Sequence, residues 1–183
     1  MYGLFHNCTK LASIDVSNFN TSSVTTMNSM FRLCESLTSI DASNFDTHNV
    51  EDMQDMFGYC PKLITVNVSH FNTSKLRNMQ GMFVDDFKLK YLDLSSFDTS
   101  STTIFHAAFR GGSSLVYIKF NSLIINNNVY IFSQILLSVS PNLKICIDDS
   151  NTKSKLQSTN LIFNCSDKCF DNNIKIDLKF KHV

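Results

Sequence analysis

The sequence predicts an α/β solenoid in which one short parallel strand and one helix recur every 26 residues, closed at its C-terminal end by a cap. Three observations predict it. Phe5, Phe31, Phe57, Phe83 and Phe109 stand 26 residues apart, as do Leu11, Leu37, Leu63, Leu89 and Leu115, and a fixed period of this length marks a stack of repeated units. Each unit carries an apolar stripe at helical spacing followed by an alternating segment. The register fades after Leu123, where "NNNVYIF" takes the place of the repeat.

In "TSSVTTMNSMFRLCESL" the apolar positions Val24, Met27, Met30, Phe31, Cys34 and Leu37 follow one another at steps of three, three, one, three and three, which suits one face of a helix. Thr21 and its column-mates Thr47, Thr73 and Thr99 stand just ahead of the stripe, where a hydroxyl can cap a helix N-terminus. Asn20, Asp46, Asn72 and Asp98 supply turn chemistry immediately before them. The following "LTSIDASNF" alternates Leu37, Ile40, Ala42 and Phe45 with polar Ser39, Asp41 and Ser43, the pattern of a short half-buried strand. Neither element can bury its apolar side alone. Successive units are therefore expected to stack, with strands pairing in parallel into one curved sheet and helices behind it.

Residues 1–125 form the repeat array, about five rungs, and residues 126–183 a capping segment of different sequence. A terminal unit of this kind closes the exposed end of a stack. Apolar runs around Ile145 and Ile162 read as further short strands separated by a helical "TKSKLQST". Cys146, Cys165 and Cys169 cluster in the cap, and a structural disulfide of Cys146 with Cys165 or Cys169 is expected there in preference to a zinc site, since the nearest histidine is His182. Met1 occupies the column of Met27 and Met53, so the sequence starts inside a repeat and reads as N-terminally truncated.

Sixteen basic and sixteen acidic residues cancel, leaving no net field to draw in nucleic acid or an anionic membrane. The longest apolar stretches, such as "VYIFSQILLSVS", are too short and too polar to span a bilayer, and Met1 is not followed by a basic and then an apolar export segment.

Catalytic and metal chemistry finds no foothold in the pattern. Cys8, Cys34 and Cys60 share one inward column, but the five histidines fall at unrelated positions, so the thiols read as a buried apolar row. The pairs Met27/Met30, Met53/Met56 and Met79/Met82 read as core and not as a soft-metal box. The column Asp15, Asp41, Asn67, Asp93 faces outward from the strands; interrupted by Asn67 and flanked by Ser and Thr, it reads as solvated surface in preference to a calcium row. No cofactor or metal is expected. The N-x-[ST] sequons at Asn7, Asn20, Asn67, Asn72 and Asn164 are usable only if a eukaryote exports the chain.

The segment from Leu11 to Phe19, L-x-x-I-x-V-x-x-F, resembles the leucine-rich repeat. The fuller string MFxxCxxLxxIDxSNFxTSxV resembles the 26-residue repeat of BspA-like surface proteins over about residues 1 to 125. Two departures stand out: Asp86 and Gly112 replace the cysteine, and the last unit, "STTIFHAAF", lacks the methionines. The resemblance implies a cell-surface or extracellular array used in adhesion or host contact, and it carries no catalytic residues. The chain is therefore read as a non-enzymatic module, part of a longer protein, that binds a protein or glycan through its concave sheet face. The alternatives are a structural spacer or stalk without a ligand and, from another class, a hydrolase or thiol enzyme within the cap. On the outward strand positions small hydroxyls at Ser13, Ser39 and Thr65 give way to Tyr91 and Tyr117, with Asp93 beside them. Tyr91, Tyr117, Asp93, Asp41 and Asp15 are the candidate ligand-binding residues.

Overall fold

The computed structural model describes residues 1–123 and 135–146. Its regular elements are five short strands: β1 (Ser39–Asp41), β2 (Thr65–Asn67), β3 (Tyr91–Asp98), β4 (Tyr117–Ser122) and β5 (Lys144–Cys146). β1 and β2 make a two-stranded sheet and β3, β4 and β5 a three-stranded one. All pairing is parallel and follows the repeat: Ile40 lies opposite Val66, and Leu92 opposite Ile118. β5 continues the ladder past residue 125, with Ile145 opposite Ile118. The segment around Ile14 forms no strand, and its tie to the next unit is the Thr38 N–H donating to the Ala12 carbonyl at 3.3 Å.

The helix expected in every unit is not there: among the described residues none is helical. The reason lies in where the backbone N–H groups go. A helix needs each N–H to reach the carbonyl four residues back. Here the N–H groups of Met27, Ser29, Phe31 and Leu33 donate instead to the carbonyls of Asp52, Gln54, Met56 and Gly58 in the next rung, at 2.8 to 3.1 Å. The N–H groups between them close three-residue turns at home, Met30 onto Met27, Arg32 onto Ser29 and Cys34 onto Phe31. This alternation needs left-handed backbone at regular positions. It occurs in two columns, Gly3, Ser29, Asp55, Gly81 and Ala107, and Asn7, Leu33, Tyr59, Asp85 and Gly111, all with φ between 51° and 77°. At Gly81 a side chain is excluded twice over, by φ of 58° and because a Cβ would lie 2.1 Å from Asp55 Oδ1.

A run of such turns still points every third or fourth side chain inward, so the stripe packs as a helix face would. Met27, Met30, Phe31, Cys34 and Leu37 are fully buried, and so are their mates one period on. The phenylalanines from Phe5 to Phe109 form one stack with centroids 5.3 to 6.0 Å apart and planes within 13° of parallel. A second aromatic column pairs Phe19 with Phe45 and Phe71 with Phe97.

The threonine column, expected to cap helices, joins rungs. The Thr47 hydroxyl donates to the Asn72 carbonyl at 3.0 Å and accepts the Asn72 N–H at 2.8 Å. Thr21 does the same to Asp46, and Thr73 to Asp98. One buried hydroxyl thus satisfies both backbone groups of a residue 25 positions away. Thr47→Val, which keeps the shape and removes both bonds, is expected to lower stability by about 2 kcal/mol in urea unfolding. A change below about 0.5 kcal/mol would mean that the clip adds nothing beyond its packing.

Candidate functional site

The strand face is built from side chains at alternate positions of each strand, where the pleat turns them away from the core. In β3 and β4 the register sets Tyr91 opposite Tyr117 and Asp93 opposite Lys119. β5 adds Lys144 opposite Tyr117 and Cys146 opposite Lys119. The three candidates Tyr91, Tyr117 and Asp93 therefore come together on two adjacent strands. Asp41 sits in the other sheet, opposite Asn67, and Asp15 precedes any strand. The five do not form one cluster.

Both tyrosines are half-buried, and the Tyr117 hydroxyl is shielded from solvent. The aspartates already have a structural task. Oδ1 of Asp15, Asp41 and Asp93 accepts the N–H of Ser17, Ser43 and Ser95 respectively, at 2.9 to 3.0 Å, and Asn67 does the same for Ser69. These are Asx-type bonds, in which a short side chain bonds its own backbone two residues on. Asn67 Nδ2 also donates to Asp41 Oδ1 at 2.9 Å, so that at this rung asparagine, having a donor, bonds the carboxylate of its neighbour. The sequence expected a solvated ladder in this column; its local bonds coincide with the ends of β1 at Asp41 and β2 at Asn67, whereas β3 runs on past Asp93 to Asp98.

A second Asx column repeats on the far corner, where Asn20, Asp46, Asn72 and Asp98 accept the N–H groups of Ser22, His48, Ser74 and Ser100. His48 Nδ1 also meets Asp46 Oδ1, and this bond holds the exposed carboxyl below its usual range. Bonds to the Ser100 side chain and backbone N–H do the same for Asp98.

Behind the sheet, Cys34 Sγ–H donates to the Phe5 carbonyl at 3.2 Å and Cys60 Sγ–H to the Phe31 carbonyl at 3.1 Å. Burial pushes the Cys34 thiol up to about 11 and the Cys60 thiol further still, so both are unreactive at neutral pH. In the next rung Asp86 takes the same inward position. It is 1% exposed, and its Oδ1 accepts the Cys60 N–H at 2.8 Å. Desolvation, reinforced by the neighbouring Asp85 charge, holds its carboxyl well above the ordinary range, and Oδ2 accepts no hydrogen bond. Among the described residues no three His, Cys, Asp or Glu side chains gather into a group that could hold a metal ion. Cys165 and Cys169 lie outside the described residues, as does most of the segment from 126 onward.

The turn side carries a different cluster. The Arg32 guanidinium lies 4.7 Å over the Tyr59 ring, 3.4 Å from Asp55 Oδ2 and 3.3 Å from His6 Nε2. It gathers side chains from three successive rungs, and its arrangement is that of a brace between them.

A model of a family described as Mycoplasma protein of unknown function, DUF285, matches residues 1–84, 39–136 and 61–175. The chain belongs to this family. Its three overlapping matches are what internal repetition produces, since one model can be laid on the array in several registers. Neither a curated protein nor a solved structure matches the chain. Among the described residues no helix is long and apolar enough to cross a membrane.

Proposed function

We propose that the chain is a non-catalytic repeat module of the BspA-like, leucine-rich-repeat kind, displayed at a cell surface, whose stacked rungs bind a protein or glycan through the strand face. The observation that carries this reading is the pairing of Tyr91 with Tyr117 on neighbouring strands, in a column where the preceding strands carry Ser39 and Thr65 and the following one Lys144. Two rigid aromatic rings one strand apart offer contact area at little entropic cost, and the exposed Asp93 carboxylate beside them is an acceptor for a ligand hydroxyl or amide.

The full chain is expected to give signal on a glycan array or on intact cells, and Tyr91→Ala combined with Tyr117→Ala to weaken that binding by at least about 2 kcal/mol with the unfolding midpoint retained. Binding by the double variant at unchanged affinity would remove the strand face from the reading. A second reading, a spacer without a ligand, draws support from the same surface: its aspartates bond their own turns and the Tyr117 hydroxyl is shielded. Absence of binding to every glycan and cell type tested would favour the spacer.

A further inference from the structure

Each rung turns into its strand through a tight corner. The Leu63 N–H closes onto the Cys60 carbonyl, Leu89 onto Asp86 and Leu115 onto Gly112, with the three leucines buried. The two residues between donor and acceptor are the tip of a β-turn, a position that points away from the stack. At successive tips these are Pro61 and Lys62, Phe87 and Lys88, Ser113 and Ser114. One residue past each buried leucine, where the strand begins, stand Ile64, Lys90 and Val116.

Phe87 and Ile64 are nearly half exposed and Val116 more than a third. Lys62, Lys88, Lys90 and Lys144 are exposed on the same rim, Lys144 joined to it by its N–H on the Val116 carbonyl and Val116 by its N–H on the Lys90 carbonyl. Within the segments 60–64, 86–90, 112–116 and 140–144 the sole carboxylate is Asp86, which is buried. Glu35, the acid of this corner, lies one rung earlier, and Asp93 follows three residues into the strand with Oδ1 on Ser95. The balanced charge of the whole chain thus conceals a local segregation: four cations interleaved with three apolar side chains along one edge.

We propose that this rim docks on the surface of an anionic lipid bilayer, without crossing it. Charge complementarity calls for an anionic partner, and the alternation of lysine with protruding Phe, Ile and Val suits an interface where headgroup phosphates meet acyl chains. A soluble polyanion would engage the lysines and leave the apolar tips in water. Phe87 and Ile64 would enter the headgroup boundary while the lysine ammonium groups remain at phosphate level.

The test uses the full chain with vesicles of phosphatidylcholine alone or mixed with phosphatidylglycerol. Because the sequence has no tryptophan, Phe87→Trp places a single reporter at the tip. Its emission is expected to shift to the blue with the mixed vesicles and to stay unchanged with neutral ones. In co-sedimentation, Lys62→Gln, Lys88→Gln and Lys90→Gln together should lower partitioning at least about tenfold, and Phe87→Ser should lower it several-fold, both with an unchanged unfolding midpoint. Equal binding to neutral and anionic vesicles, or full binding by the lysine variant, would overturn the proposal. So would binding that ignores Phe87→Ser and is matched by soluble polyglutamate or heparin, which would assign the rim to an acidic polymer.

Discussion

Phe57→Ala is expected to cost about 3 to 5 kcal/mol, read from urea unfolding of the full chain. Phe57 lies at the centre of the aromatic stack, 5.7 Å from Phe31 and 5.6 Å from Phe83, and is completely buried. Removing it leaves a cavity that neither neighbour can fill without leaving its own stacked geometry. Rings held in a stack by backbone bonds on both sides have little freedom to collapse, which places the expected loss toward the upper end of the range. Phe57→Leu, which keeps most of the volume, should cost clearly less. Because a rung touches its neighbours and little else, amide protection should fall most between residues 27 and 104 and least at the two ends of the described array. A loss below about 1 kcal/mol would show that the column is not a packed core.

The second large effect concerns Asp86, where Asp86→Cys restores the residue found at Cys34 and Cys60. Its expected gain is on the order of 2 kcal/mol near neutral pH, since a buried carboxyl with one oxygen unsatisfied is exchanged for a small apolar group, offset in part by the loss of its bond to the Cys60 N–H. The sign with pH follows from the raised carboxyl. Below the ordinary carboxylate range Asp86 is protonated in both folded and unfolded chains and contributes no pH dependence. As pH rises above about 4 the unfolded chain releases this proton while the folded chain keeps it, so stability falls until the pH passes the folded value. The groups facing Asp86 are Cys60, through its N–H and thiol, and Asp85, whose charge adds to the effect. Asp55 is also raised by burial and would contribute in the same direction, whereas the lowered Asp46 and Asp98 act at more acid pH. The difference between Asp86→Cys and the unchanged chain isolates the residue. That difference should widen as pH rises above about 4 and level off once the folded value is passed; parallel curves would mean that Asp86 is ionised, and satisfied, throughout.

The columns were legible in the sequence because burial selects residue type at fixed spacing, so the period, the parallel strands at Ile40, Val66, Leu92 and Ile118 and the inward Met and Cys rows all follow from it. The helix was misread for a physical reason. Steps of three and four residues keep Met27, Met30, Phe31 and Cys34 on one side in a helix and in a chain of three-residue turns alike, and apolar spacing cannot distinguish them. The distinguishing signal was present in the left-handed columns, where glycine, asparagine and aspartate recur at Gly3, Asp55, Gly81, Asn7, Asp85 and Gly111. Leu33 and Tyr59 in the second column obscured it, since bulky residues rarely take positive φ. In the candidate site, the sequence placed Tyr91, Tyr117 and Asp93 on one face, as the register does, but it could not show that Oδ1 of each aspartate bonds the chain beside it. That bond joins residues two apart in backbone shape, and a column of acids reads the same whether it is free or folded back.

The hydrogen bonds that replace a helix also set how the protein would respond to force. With successive rungs joined by backbone hydrogen bonds on both the turn side and the strand side, tension applied between Met1 and Leu123 pulls along those bonds and peels the terminal rung before any interior one. Each rung released would add about 90 Å of extended chain, 26 residues at roughly 3.4 Å apiece. A strained array of this kind lengthens in equal steps, and each step leaves the remaining rungs bonded as before.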